Sequence, residues 1–117
     1  MLMKVDAASP VPLFEQLAAS VRSEVSRGAL LPGDRLPSAR EVAASLTINV
    51  HTVLRAYQQL RDEGLVDLRR GRGAVVTDKA RQYEPISLAL PTLISEAKRL
   101  GLSSSALVAL VREEYNT

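Results

Sequence analysis

Residues 36–73 decide the fold, and they read LPSAREVAASLTINVHTVLRAYQQLRDEGLVDLRRGRG. Ser38, followed three positions later by a glutamate, forms a capping box, which marks the start of a helix. Asn49 is a good N-cap for the next helix. The stretch therefore predicts one helix over about 38–46 and another over about 50–63, joined by a tight turn, and this pair forms a helix-turn-helix.

A basic hairpin is predicted directly after this pair of helices. Two short, partly β-branched runs at 65–68 and 74–77 flank Arg69–Gly73, whose glycines permit the positive φ of a tight turn. Upstream, leucines and valines that recur every four residues predict a first helix over about 12–27. The order of these elements is that of a winged helix-turn-helix domain, which we place at residues 10–78.

The rest of the chain, residues 79–117, has the pattern of two helices. Apolar residues recur at helical spacing on both sides of Gly101, and Ser103 or Ser104 can cap the second helix. The expected fold class is therefore mainly α with a small β-hairpin: a winged helix-turn-helix domain followed by a C-terminal helical dimerisation segment.

The start of the first C-terminal helix is open at this stage. Pro85 and Pro91 allow a start near residue 91, or a start near residue 80 with a bend at the prolines. We expect residues 78–92 to form the linker between the two parts.

Composition argues against several functions. The chain has one histidine, His51, and no cysteine, so neither a metal site nor a disulfide framework is expected. No reactive set of side chains indicates an enzyme, and no cofactor is expected. There is no stretch with the length of a signal peptide core or a membrane span, so the sequence predicts a cytoplasmic protein without a membrane partner.

The charge distribution favours a nucleic-acid partner. Residues 35–79 hold eight basic and five acidic side chains, whereas residues 80–117 hold four of each sign. The basic surplus therefore coincides with the predicted winged domain. With one Phe, three Tyr and no Trp, the chain lacks the stacking residues of single-strand binders, so double-stranded DNA is the expected partner.

The second helix of a helix-turn-helix places its N-terminal residues near base edges in the major groove. This geometry singles out Val50, His51, Thr52 and Arg55. Thr52 can bond a base or a phosphate, Arg55 can reach guanine or phosphate, and Val50 can touch a thymine methyl group. An isolated arginine more often only solvates a helix face, but the helix-turn-helix context favours a DNA contact.

Two further basic regions, the start of the first of these helices and the tip of the hairpin, are expected to contact phosphates. Arg40 lies in the first turn of a helix, where anions are favoured, although a salt bridge with a nearby acid is the alternative. The hairpin tip contributes Arg70, Gly71, Arg72 and Gly73, and its glycines let the backbone approach a ligand closely. The alternative for the hairpin tip is that its charges only keep it solvated and contact no DNA.

The motifs of residues 10–77 resemble those of the GntR family of bacterial regulators. They are PLFEQL at 12–17, LPGDRLPSAREVA at 31–43, NVHTVLRAY at 49–57, EGLV at 63–66 and RGRG at 70–73. Many members carry an arginine where this chain has Val50. Arg55 followed by Ala56 and Tyr57 is similar to the YtrA-like subfamily, as is the short segment after the wing.

The resemblance implies a regulator that binds its operator as a dimer. Six residues match positions that the family uses at DNA: Ser38, Arg40, Thr52, Arg55, Arg72 and Gly73. In the YtrA-like group the tail is a pair of dimerisation helices, and two short helices are marginal alone in water. The apolar stripes predicted to form the dimer interface are Leu93, Ile94, Ala97, Leu100, Leu107, Leu110 and Val111.

The sequence thus predicts a sequence-specific transcriptional regulator, expected to be a repressor, that acts as a homodimer on a palindromic operator. Two alternatives stay open: a winged-helix module for protein–protein contacts, and a non-specific architectural DNA binder. The arginines at 55, 69, 70 and 72 favour DNA over a protein partner. No motif identifies a small-molecule effector.

Overall fold

Three helices and a hairpin form the first part of the molecule in the computed structural model, which describes residues 3–117. Their bounds are α1 Leu13–Ser26, α2 Ala39–Leu46, α3 Val50–Asp62, β1 Val66–Arg69 and β2 Gly73–Val76. The strands pair antiparallel, with Val66 opposite Val76 and Arg69 opposite Gly73. The predicted winged helix-turn-helix is confirmed, with helix ends within one residue of those expected.

Local capping explains where α2 and α3 begin. The Ser38 hydroxyl accepts a hydrogen bond from the Glu41 backbone N–H at 3.1 Å, and the Asn49 side chain accepts one from the His51 N–H at 2.8 Å. Each bond satisfies a backbone donor that the first turn of a helix leaves without a partner. Thr47, between the helices, has a left-handed conformation with φ of 55°.

The end of α3 directs the chain into the hairpin. Gly64 has φ of 82°, and beyond it the Leu65 N–H donates to the Leu60 carbonyl at 3.0 Å. This is a Schellman motif, which needs a residue in the left-handed region after the last turn. Leu60 and Leu65 are fully buried, so the turn also fixes α3 and the first strand to one core.

The core of this part lies between α1, α3 and the hairpin. From α1 it receives Leu17, Ala18, Val21 and Val25; from α3 it receives Val53, Ala56, Tyr57 and Leu60. Tyr57, predicted as a core residue, is buried, and its hydroxyl donates to the Pro37 carbonyl at 2.6 Å. Burial raises the pKa of Tyr57 well above its usual range, so its hydroxyl stays a neutral donor.

Residues 33–36 add a third segment to the wing through backbone hydrogen bonds, which the sequence did not indicate. The Gly33 N–H donates to the Val76 carbonyl and the Val76 N–H donates to the Asp34 carbonyl, both at 2.8 Å. The Leu36 N–H donates to the Ala74 carbonyl at 2.9 Å. The segment between α1 and α2 is therefore held along β2, and Arg35 lies opposite Val75.

The segment predicted as a linker is helical. A 3₁₀ helix spans Asp78–Tyr83, and α4 spans Glu84–Arg99. The Thr77 hydroxyl caps the 3₁₀ helix and Ala80 is buried in the core of the first part, so this stretch is fixed rather than free. Of the two starting points left open, the one near residue 80 is correct. Pro85 lies in the first turn of α4, where a missing N–H is tolerated, and Pro91 lies inside the helix.

The chain divides into two units, the first ending at Glu84 and the second spanning Pro85–Thr117. The second unit consists of most of α4 and of α5, Ser104–Tyr115. Between them Gly101 has φ of 73°, and the Ser103 hydroxyl caps α5 by accepting from the Ala106 N–H at 3.1 Å. Within residues 3–117 no helix has the length and apolar character that crossing a bilayer requires.

Candidate nucleic-acid interface

The N-terminal part of α3 presents the residues that the sequence singled out. His51 and Arg55 are exposed, and Val50 and Thr52 are half-buried. The opposite side of the helix is in the core, so α3 is fixed by its apolar face while its polar face stays open. The arrangement is suited to insertion of a helix into a groove.

The beginning of α2 carries a second charged position. Arg40 is exposed, and the structure gives it no ion pair with any residue between 3 and 117. The salt bridge that was the alternative for Arg40 is therefore not formed. Ser38 is exposed as well, but its hydroxyl oxygen already accepts the capping bond from Glu41.

The wing tip is a tight turn. The Arg72 N–H donates to the Arg69 carbonyl at 3.0 Å, and Gly71 and Gly73 have φ of 78° and 70°. A turn with a positive φ at its third residue requires glycine or asparagine, which explains Gly71. Arg70 and Arg72 are exposed, whereas the Arg69 guanidinium lies 3.4 Å from the Asp67 carboxylate. One of the three arginines is thus partly neutralised within the hairpin.

A groove brings the wing tip and the start of α2 together. Its lining includes Glu41 of α2 and its N-cap Ser38, Gly71, Arg72 and Gly73 from the tip, and Asp34 and Arg35 from the third segment of the wing. Four residues predicted separately as DNA contacts therefore lie around one concave surface. Arg35 was not among them, because only the pairing of its segment with β2 places it there.

Arg55 makes a contact that the sequence did not reveal. The guanidinium carbon of Arg55 lies 3.8 Å from the centre of the Phe14 ring. Phe14 belongs to the first turn of α1 and is half-buried against the core. The only advance signal was its place in the PLFEQL motif, which carried the family resemblance without a role for the ring.

The apolar stripes of α4 and α5 are largely exposed. Leu93, Ile94, Leu100, Leu110 and Val111 have exposed fractions between 40% and 66%. Two members of the predicted interface differ, because Ala97 is buried and Leu107 is half-buried. The sequence did not single out five further exposed apolar residues: Ile86, Leu88, Leu90, Val108 and Tyr115.

Metal chemistry has no site in the described part of the chain. Among residues 3–117, no group of three or more His, Cys, Asp or Glu side chains is arranged to hold an ion. His51, exposed at the start of α3, lies among the candidate DNA contacts.

Comparison with known proteins decides the family. The model described as "Bacterial regulatory proteins, gntR family" matches residues 13–76. The chain belongs to the GntR family. The match spans α1 through β2, so it covers every element of the candidate interface.

This GntR protein is similar to proteins named YtrA over most of its length. The HTH-type transcriptional repressor YtrA of Bacillus subtilis is 30% identical, over 96% of this chain and 91% of its own. YtrA from Sulfolobus acidocaldarius has a solved structure that is 33% identical, with a TM-score of 0.63 over 80% of this chain and 99% of its own. The resemblance to the YtrA-like subfamily is thereby confirmed.

The fold of a DNA-bound domain is also similar. The AraR DNA-binding domain, solved in complex with operator ORX1, has a TM-score of 0.59 over 64% of this chain and 96% of its own. At 24% identity this likeness concerns the fold alone.

Proposed function

We propose that this GntR regulator represses transcription by binding a palindromic operator in double-stranded DNA as a homodimer. The observation that carries the proposal is that three basic or polar features belong to one unit. These features are the open N-terminal part of α3, the start of α2 with Arg40, and the arginine tip of the wing. The repressor named YtrA, similar over almost the whole chain, supports repression.

The side chains divide into those that read bases and those that bind phosphate. Thr52 and Arg55, on the polar side of α3, would meet base edges in the major groove. Arg40 and Arg72 would bind phosphates on either side of that groove and fix the orientation of the domain. His51 and Val50, at the first turn of α3, would make the remaining close contacts.

The second unit supplies the dimer in this proposal. Its exposed leucine, isoleucine and valine side chains would be buried against the same residues of a second copy. A two-fold interface holds two recognition helices so that they enter successive major grooves, about 34 Å apart. A palindromic operator is the sequence counterpart of this symmetry.

Selection of bound duplexes from a random DNA pool tests the proposal. We expect a palindromic consensus whose half-sites lie about one helical turn apart. Selection of no consensus, with uniform binding to all duplexes, would favour a non-specific architectural protein. Failure to bind any duplex would favour a winged-helix module for protein contacts.

A second experiment assigns the residues. Arg55→Ala and Thr52→Ala should weaken binding to the selected operator by roughly ten-fold or more while leaving random duplex nearly unaffected, because one good base contact contributes about 1–3 kcal/mol of discrimination. Arg40→Ala should weaken both to the same extent, since phosphates are the same in every sequence. Equal losses for Arg55→Ala on both duplexes would assign Arg55 to phosphate binding.

A further inference from the structure

The contact between Phe14 and Arg55 joins the start of α1 to the open side of α3. The Arg55 guanidinium carbon lies 3.8 Å above the centre of the Phe14 ring, although the residues are far apart in sequence. The Phe14 ring is half-buried and packs against the core, whereas Arg55 is exposed. The ring is therefore the partner held by packing in this contact, and the arginine is the partner exposed to solvent.

Stacking on a ring constrains an arginine without occupying its hydrogen-bond donors. A guanidinium packs on an aromatic ring through its flat face, while its N–H groups point outward in its own plane. Those in-plane donors are the groups that bind guanine O6 and N7 as a pair. Arg55 can thus be held in one orientation before DNA arrives and still present both donors.

The first turn of α1, which carries Phe14, is itself held in place by the residues before it. The Gln16 side-chain amide donates to the Asp6 carbonyl at 3.0 Å and to the Val11 carbonyl at 2.8 Å. The Asp6 N–H donates to the Gln16 side-chain oxygen at 2.7 Å. Met3 is buried in the core of the same unit. We call residues 3–11 the N-terminal strap.

We propose that Phe14 is a positioning residue for operator recognition, and that the N-terminal strap fixes the helix turn from which it acts. The inference rests on the proposed operator binding, with Arg55 as the residue that meets DNA. Phe14 contributes by limiting the orientations of the Arg55 guanidinium, so that less freedom is lost when the arginine binds a base. Its effect therefore falls on the operator more than on random duplex.

Two substitutions separate the effect of the aromatic face of Phe14 from the effect of its apolar packing. Phe14→Leu keeps an apolar side chain against the core but removes the aromatic face, and Phe14→Tyr keeps the face. We expect Phe14→Leu to weaken operator binding about two- to ten-fold, because ordering one long side chain on binding costs about 0.5–1.5 kcal/mol, with a smaller change on random duplex. Phe14→Tyr should restore the wild-type ratio of the two affinities.

A double-mutant cycle shows whether Phe14 acts through Arg55. In an Arg55→Ala background, Phe14→Leu should cause no further loss of operator affinity. In an Arg72→Ala background the full loss should remain. The proposal is wrong if Phe14→Leu weakens operator binding equally with and without Arg55. It is also wrong if Phe14→Tyr lowers the ratio of operator to random affinity as Phe14→Leu does.

Tyr83→Leu is the matched control for lost packing. Tyr83 is also a half-buried aromatic residue packed against this core, but it belongs to the 3₁₀ helix, and no contact joins it to Arg55 within residues 3–117. Tyr83→Leu should lower thermal stability without changing the ratio of operator to random affinity. A drop in that ratio equal to that of Phe14→Leu would show that general loosening of the core is the cause.

Nuclear magnetic resonance of the free protein distinguishes failure of this inference from failure of operator binding. The ring current of Phe14 should shift the Arg55 side-chain proton resonances upfield in the wild type, and the shift should disappear in Phe14→Leu. If the shift is absent, the positioning role is wrong even when the wild type selects an operator. If the shift is present but the wild type prefers no duplex, the operator proposal fails and the role of Phe14 fails with it.

Discussion

The two units treat their apolar side chains in opposite ways. In the first unit, which ends at Glu84, leucines and valines from three helices and the wing fill one core, and several are fully buried. In the second, Pro85–Thr117, the larger apolar side chains of α4 and α5 lie mostly at the surface, with Leu100 66% exposed. The first unit thus has its own source of stability, whereas the second carries apolar surface of the kind that marks an interface.

The largest effect is expected from charge placed in the exposed stripes. Leu93→Asp combined with Leu110→Asp should abolish dimerisation and weaken operator binding about a thousand-fold, because burying an unpaired carboxylate costs several kcal/mol and two-fold symmetry repeats each change. Sedimentation equilibrium at micromolar concentration measures the first effect. Ser95→Asp with Asn116→Asp adds the same charge outside the stripes and should leave the dimer intact. A dimeric Leu93 and Leu110 double variant would remove this interface from the proposal.

A pair of leucine truncations compares the units directly. Leu60→Ala in the first core should lower the free energy of unfolding by about 3 kcal/mol, since it leaves a cavity among fully buried side chains. Leu110→Ala, on the exposed side of α5, should change it by less than about 0.5 kcal/mol in dilute, monomeric protein. Urea unfolding followed by circular dichroism measures both. Similar losses would mean that the second unit is as well packed as the first.

A pair of arginine truncations asks which unit meets DNA. Arg72→Ala, at the wing tip, should make the dependence of log affinity on log salt shallower by about 0.9 for each lost phosphate contact. Arg112→Ala, on α5, should leave the slope unchanged, because the charges of residues 80–117 balance. Titrations of a fluorescent operator at several salt concentrations give both slopes. An equal change in the two variants would place DNA on both units.

Each unit also contains an arginine–glutamate ion pair, and the two pairs differ in how much of the fold they join. The Arg22 Nε donates to the Glu63 carboxylate at 2.9 Å and joins α1 to the end of α3, whereas Arg99 and Glu96 pair within one turn of exposed α4. The hydrogen bond from Arg22 lowers the pKa of Glu63, despite the opposing effect of its partial burial. Glu63→Gln should lower the free energy of unfolding by about 1 kcal/mol at neutral pH, against less than about 0.5 kcal/mol for Glu96→Gln.

The pH dependence of Glu63→Gln follows from the sign of that shift. A carboxylate whose pKa is lowered on folding stabilises the protein above its unfolded pKa, and the contribution disappears as pH falls through the lowered value. The difference between wild type and Glu63→Gln should therefore stay constant from neutral pH down to the ordinary glutamate pKa of about 4.3 and shrink below it, and urea unfolding at several pH values measures it. A difference that grows on acidification would mean that the ion pair is not its source.

The sequence predicted what depends on neighbouring residues. Ser38 and Asn49 cap their helices as expected, and Ser103 is the cap among the two serines left open for the last helix, because a capping bond joins residues two or three positions apart. The sequence did not predict features that depend on pairing between segments far apart in the chain. The segment at 33–36 forms backbone hydrogen bonds with β2, and no local pattern in the sequence predicts that pairing.

The candidate site was predicted to a similar extent. The tip glycines and the polar residues of α3 followed from turn chemistry and helix geometry. The contact between Phe14 and Arg55 did not, because it forms only when α1 packs against α3. The boundary between the two units lies inside the linker expected at 78–92, but the sequence did not show that this stretch is helical, because its prolines also allowed a break. Pro85 falls in the first turn of a helix, where the absent N–H is not required.

The smallest effect is expected at the two turns that join helices. Both place a residue in the left-handed region: Thr47 in the first unit with φ of 55°, and Gly101 in the second with φ of 73°. For a residue with a side chain this region costs roughly 1–2 kcal/mol, and glycine avoids that cost but loses about 0.5–1 kcal/mol of backbone entropy on folding.

Exchanging these residues separates local strain from tertiary support. Thr47→Gly should raise the free energy of unfolding by up to about 1 kcal/mol, the difference between the two costs. Gly101→Thr should destabilise the α4–α5 turn by a similar amount through its backbone alone, since a Cβ there meets nothing within 4 Å. Thermal unfolding of each variant measures the changes. Should Thr47→Gly instead destabilise the protein, then contacts of the threonine side chain, and not turn geometry, hold α2 against α3.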